Sequence, residues 1–283
     1  MSATEQTAEA EIKQGERFAF GENWARFLSS LNRPKIEKAR DSMEAMVGVP
    51  VATVLKGQRF LDAGSGSGLS SLVAHEAGAR VHSFDFDLAS VACTEELKQR
   101  FGNEPADWRC EQGSVLDEAY VTNLGRFDWV YSWGVLHHTG HMWQALDGLL
   151  TRVDDNGFLF IALYNDQGWI SRYWRFVKRT YNAGAWRRRL IVGCHLPYLF
   201  LARWLLRAAT GRLSYERGMS LWWDMLDWLG GYPFEVATPI EVIEFVEGRG
   251  FRLRASKTCG RRHGCNEFVF QLAKGAQSHS TAN

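Results

Sequence analysis

The chain lacks a membrane span, a cysteine framework and any surplus of charge. Its uncharged apolar stretch from Leu190 to Ala202 has 13 residues, too few to cross a bilayer, which takes about 20. Its five cysteines, Cys93, Cys110, Cys194, Cys259 and Cys265, are odd in number and recur at no fixed spacing. No secretory signal opens the chain, so reduced thiols and a cytoplasmic location are expected. Cys259, His263 and Cys265 lie close together but lack a second pair at zinc-finger spacing, so no metal site is expected. A plain hairpin or loop before the last strand accounts for them. Total charge is balanced, at 33 Lys/Arg against 32 Asp/Glu. The balance is uneven along the chain. From Ser171 to Arg212 there is no acidic residue and there are ten Lys/Arg, while the remainder holds 23 basic and 32 acidic residues. A basic segment on an acidic body points to an anionic partner. Nucleic acid is not expected, because no RNA-binding module is present and the basic run is interleaved with aliphatic surface.

What the chain does have is core-forming material: 46% hydrophobic residues, 23% charged, and twelve Trp over 283 residues. That suits one core with an elaboration. Residues 1–34 read as a polar tail followed by an aromatic arm, with Phe18, Phe20, Trp24 and Phe27 needing a surface to bury against. Residues 35–47 read as a helix. Apolar strand-like runs then alternate with helices of about a dozen residues: strands at 58–64, 80–87, 107–115, 126–134 and 157–165, helices at 69–79, 88–101 and 142–152. A helix at 239–251 and strands at 252–258 and 266–273 follow. This order predicts βαβ units, right-handed crossovers and a doubly wound, mostly parallel sheet. Residues 166–238 interrupt it as a helical insertion rich in Trp and Arg, and 274–283 read as a disordered tail.

The strongest chemical signal is "FLDAGSGSGLS". Gly64, Gly66 and Gly68 lie between a strand and a helix, where a backbone without Cβ atoms can approach a ligand and the helix start offers N–H groups to an anion. Asp85 ends the next strand and can accept both hydroxyls of a ribose. The third glycine comes one residue earlier than in the dinucleotide fingerprint. Asp62, two residues before Gly64, suits a cationic ligand better than a pyrophosphate.

These residues resemble motif I of the class I S-adenosylmethionine-dependent methyltransferases. "FDFD" resembles the acidic end of their second strand, "GSV" (113–115) their adenine loop, and "FDWVYSWGVLHH" their fourth strand and its turn. The resemblance covers 35–165 and 239–273, and is greatest to small-molecule O-methyltransferases of the ubiquinone-biosynthesis and natural-product kind. It implies a Rossmann-like seven-stranded sheet with an antiparallel last strand and S-adenosylmethionine as cofactor. Asp62 would face the methionine amino group; Gly64, Ser65, Gly66 and Gly68 would contact the methionine part. Asp85 would bind the ribose and Phe86 lie against the adenine. Ser114 stands where the family often has Asp, leaving Val115 to offer a backbone N–H there. Ser132 on the fourth strand completes the implied set.

Methyl transfer to a hydroxyl gains from a base, and His is suited to that at neutral pH. His137 and His138 follow the carboxyl end of the fourth strand, the edge where open α/β sheets bind ligands. Neighbours in an extended segment point to opposite sides, so one of them is expected to face the acceptor. Asp166, after the fifth strand, is the candidate to orient it. The ordinary alternative is that the histidines pack on their turn and Asp166 is a turn residue. The acceptor is expected to be a small or lipid-like molecule. For the basic apolar segment 172–212 three readings stay open: a lid over the acceptor, a helix at the inner face of a membrane, and an oligomer contact. An N-methyltransferase, an NAD-dependent oxidoreductase and a non-catalytic cofactor-binding protein are the competing functions.

Overall fold

The computed structural model describes residues 10, 11, 14, 18, 20–102, 107–201, 204–205, 221–260 and 264–273. The predicted tail at 274–283, His263 and part of the insertion lie outside them. Seven strands form one sheet: β1 (Arg59–Ala63), β2 (Arg80–Asp85), β3 (Trp108–Gln112), β4 (Phe127–Trp133), β5 (Val153–Tyr164), β6 (Phe251–Lys257) and β7 (Cys265–Leu272), in the order β3-β2-β1-β4-β5-β7-β6. β7 is antiparallel to both neighbours and the other pairings are parallel. This is the predicted doubly wound Rossmann-like sheet with its antiparallel last strand.

Alternation along each strand divides the core into two layers. Phe60, Trp129, Tyr131 and Phe160 pack on one face against α2 (Arg33–Val47), α4 (Leu69–Glu76) and α5 (Leu88–Phe101), together with α1 (Gly21–Ser29) and α3 (Val51–Leu55). Leu61, Ala63, Val130 and Leu159 face the opposite way, against α7 (Met142–Leu150) and α11 (Pro239–Glu247), with the short α6 (Glu118–Asn123) at the rim. Parallel strands buried on both faces read as continuous apolar runs, which is why the strands were readable. Helix ends follow the capping rules: Asn32 and Asp87 accept from the first turns of α2 and α5, and Thr238 with Glu241 forms a capping box on α11.

Several elements differ from the sequence reading, among them the helix expected over 239–251, which ends at Glu247. β5 begins at Val153 rather than 157, continuing through Asn156 at φ +61°. β3 stops at Gln112, with the Gly113 N–H making the last ladder bond to the Asp85 carbonyl. The helix expected over 69–79 ends at Glu76.

The insertion has a core of its own. α8 (Trp169–Asn182), α9 (Ala185–Leu196), a π-helical turn at Pro197–Leu201 and α10 (Leu221–Gly230) bury Trp174, Val177, Tyr181, Ile191, Met225 and Leu229 together. The segment leaves and re-enters the sheet at one place, where Asn165 bridges to Ala237 and the Asp166 N–H donates to the Ala237 carbonyl. Among the described residues, no helix is long and apolar enough to cross a membrane.

Candidate active site

The glycine turn joins β1 to α4 at the carboxyl edge of the sheet. Gly64, Gly66 and Gly68 have φ of +83°, +54° and +77°, a region that costs other residues dearly. The Gly64 and Ser65 N–H groups both donate to the Phe84 carbonyl, and the Gly66 N–H to Asp85 Oδ2 at 2.9 Å. A Cβ on Gly64 would stand 2.4 Å from the Val135 side chain. The expectation that these glycines leave room for a ligand is therefore incomplete. Their Cβ positions face protein, and Val135 in the turn after β4 is what Gly64 admits. Replacing Gly64 with Ala should lower stability by about 2–4 kcal/mol, read as a fall in the urea midpoint.

Asp62 is 2% exposed. Its Oδ2 accepts from Ser71 Oγ at 2.6 Å; Ser71 Oγ also meets Ser83 Oγ, which accepts from Trp108 Nε1. Burial, reinforced by the nearby Asp85, pushes the Asp62 carboxyl up to about 7. Asp62 thus ties β1 to the first turn of α4 and sits near its titration point, where a cationic group would pull it towards the anion. Asp85 Oδ1 accepts from the Asp87 N–H. Ser65 Oγ is 2.9 Å from Thr94 Oγ1. Phe86 is half-buried beside Gln112, whose side chain donates to the Phe86 carbonyl. Ser114 Oγ accepts from the Leu116 N–H and Val115 is half-buried, in the loop after β3. Ser132 is fully buried and donates to the Ala63 carbonyl. It pins β4 to β1, a structural role.

The two histidines lie in a 3-10 turn, Leu136–His138, not in extended chain. Their environments differ. His137 has no exposed surface, and the Tyr164 N–H donates to its Nδ1 at 3.3 Å. The neutral ring therefore carries its proton on Nε2, and that buried nitrogen has no hydrogen-bond partner among the described residues. Burial, with His138 and Lys178 nearby, holds the His137 pKa well below its usual value. In His138, Nδ1 is 2.7 Å from the Pro233 carbonyl. A carbonyl can only accept, so Nδ1 holds the proton and Nε2 is the basic nitrogen. The two neutral rings thus hold opposite tautomers, with the proton on Nε2 in His137 and on Nδ1 in His138.

Asp166 stands behind neither. Its Oδ1 accepts from the Gly168 N–H, shaping the turn into α8. The orienting acceptor for His138 is a backbone carbonyl of the segment following α10, which no motif in the sequence announces.

A family model described as a methyltransferase domain matches residues 17–225. The chain belongs to this methyltransferase family. The chain is 34% identical over 113 residues to an uncharacterized protein of a Synechococcus strain, a match covering 39% of this chain and 26% of that relative. The chain thus spans about a quarter of the curated relative's length. Among solved structures, it resembles magnesium protoporphyrin IX methyltransferase from Synechocystis with bound SAH, with a TM-score of 0.53 and 15% identity over 89% of this chain and 94% of that one. It also resembles an O-methyltransferase family protein from Burkholderia thailandensis, with a TM-score of 0.54 and 10% identity over 85% and 57% of the two chains. At such identities these likenesses establish the fold.

The aromatic arm closes over the glycine turn and His138. The Trp24 ring lies 3.1 Å from where a Gly66 Cβ would be, and Phe20 packs on His138 with ring centroids 5.0 Å apart. The Gly21 N–H donates to Asp87, and the Phe18 N–H to the Tyr232 carbonyl, so the arm straps core to insertion. The insertion adds Lys178, fully buried, donating to the Trp228 carbonyl over the rings of Trp228 and Phe234. Burial pushes its pKa down to about 7, with Asp227 opposing. The sequence reading missed Lys178 because a lysine in a basic helix reads as solvated.

Proposed function

We propose that this methyltransferase moves the methyl group of S-adenosylmethionine to a hydroxyl of a small or lipid-like acceptor, with His138 as base. The observation that carries this is the Nδ1–Pro233 hydrogen bond, which leaves Nε2 of His138 basic at the carboxyl edge of β4. The glycine turn, with Asp62 beneath it and Asp85 beside it, fits the cofactor: a tight left-handed backbone, a helix start, an acid at the end of β2 and a buried carboxyl poised to ionise. Asp85 would hold the ribose, and Phe86 with the Ser114–Val115 loop would hold the base. Bound S-adenosylmethionine supplies an electrophilic methyl on a sulfonium. His138, its Nδ1 held by Pro233, would present Nε2 to the hydroxyl proton of the acceptor. His137, neutral, offers Nε2–H to the acceptor. Residues 35–165 and 239–273 carry the cofactor; 166–238 cover the acceptor and help exclude water, and alignment within such a covered site lowers the barrier further.

Calorimetric titration tests the cofactor half of this reading. S-adenosylhomocysteine should bind, and Asp85→Ala should weaken it roughly 10–100-fold. Binding of NADH in its place would overturn the reading in favour of an oxidoreductase. A labelled-methyl assay over hydroxyl and amine acceptors tests the rest: turnover confined to amines, or none with tight cofactor binding, would overturn O-methylation.

A further inference from the structure

We propose that the outer face of α8 and α9 is a docking surface for an anionic lipid bilayer. Helix α8 has two apolar faces. Trp174, Val177 and Tyr181 point into the insertion core, while Trp169, Tyr173 and Phe176, spaced i, i+4, i+7, point to solvent, with Trp169 69% and Phe176 66% exposed. Helix α9 repeats this: Ile191 is buried, and Trp186 and Leu190 stand outward. The helices join along this side, where Tyr173 Oη meets His195 Nε2 at 2.8 Å. Ten of the thirteen large apolar residues exposed among the described residues lie between Trp169 and Trp222, so the exposure is a patch and not the scatter normal for a surface.

Charge selects the occupant. Arg172 and Arg179 on α8 and Arg187 and Arg189 on α9 are exposed, and none of the four is in an ion pair among the described residues, whereas Arg175 donates to the Phe234 carbonyl and Arg188 lies over the Tyr181 ring. No acid interrupts the segment from Ser171 to Arg212. Aromatic rings flanked by arginines match the boundary between acyl chains and phosphates. A two-fold contact with a second copy would set this cationic face against itself. The patch lies on a bilayer and does not cross it, since no described helix is long enough. The inner face of α8 carries Lys178 against Tyr164 and Trp228. The helix that meets lipid therefore also roofs the histidine edge, and an acceptor dissolved in the bilayer would have a short path to it. The docking surface stands independently of the methyl-transfer reading.

Flotation of the full chain with phosphatidylcholine vesicles, with and without phosphatidylglycerol, tests this. Binding should require phosphatidylglycerol and weaken as salt rises. The double variant Trp169→Ser/Phe176→Ser should bind at least about tenfold more weakly, with an unchanged unfolding midpoint and S-adenosylhomocysteine affinity. Should that variant fail to fold, Arg179→Gln, a milder surface change, should still weaken binding about fivefold. Equal binding to phosphatidylcholine alone, or no vesicle binding, would overturn the proposal. So would tighter binding to a single-stranded oligonucleotide, or self-association abolished by the double variant without vesicle binding.

Discussion

His138→Gln should lower kcat by roughly two to three orders of magnitude, while His137→Gln should keep kcat within about tenfold and act mainly on KM. The asymmetry comes from which nitrogen is occupied. Pro233 fixes the His138 proton on Nδ1, as the carboxylate does in a hydrolase triad. The Tyr164 N–H fixes the His137 proton on Nε2. His137 is held uncharged by burial, with His138 and Lys178 nearby, which lowers its pKa well below the usual imidazole value. Gly231 permits this placement, since a Cβ there would stand 2.9 Å from His138 Cε1. Gly231→Ala should lower kcat in the same direction without changing cofactor affinity. If both His→Gln variants keep kcat within about threefold of the parent, His138 is no base.

Lys178→Met should remove a rise in stability with pH. In the folded protein Lys178 titrates at about 7; in the unfolded chain it titrates near 10.4. Between those values the unfolded state binds the extra proton, so the parent's unfolding free energy climbs as pH increases from 7 towards 10. The climb is on the order of a few kcal/mol, reduced because the faces of Trp228 and Phe234 and the Trp228 carbonyl favour the cation. Urea midpoints of the two proteins at pH 7, 8 and 9 should diverge, the parent gaining and Lys178→Met losing that gain. Parallel curves would show that Lys178 titrates as it does in water.

The sheet was legible because its information is local. Buried parallel strands need apolar runs such as "GFLFIALYN", and helix ends need caps such as Asn32 and Asp87, so pattern and architecture coincide. The glycine turn was legible too: only glycine takes three left-handed positions in five residues at no cost. Its reason was half-read, since what presses on Gly64 is Val135, 71 positions along the chain. Asp166 was read as a partner because it follows β5; in the fold its carboxylate turns to Gly168 two residues on, a local bond that competes with any distant one.

The sequence by itself determined the family, the sheet, the glycine turn with Asp62 and Asp85, and the edge on which both histidines lie. Only the tertiary structure decided which ring nitrogen of each carries the proton. The tautomer is set by whatever partner one nitrogen meets, and for His138 that is the Pro233 carbonyl, 95 residues away, which any residue type would have supplied.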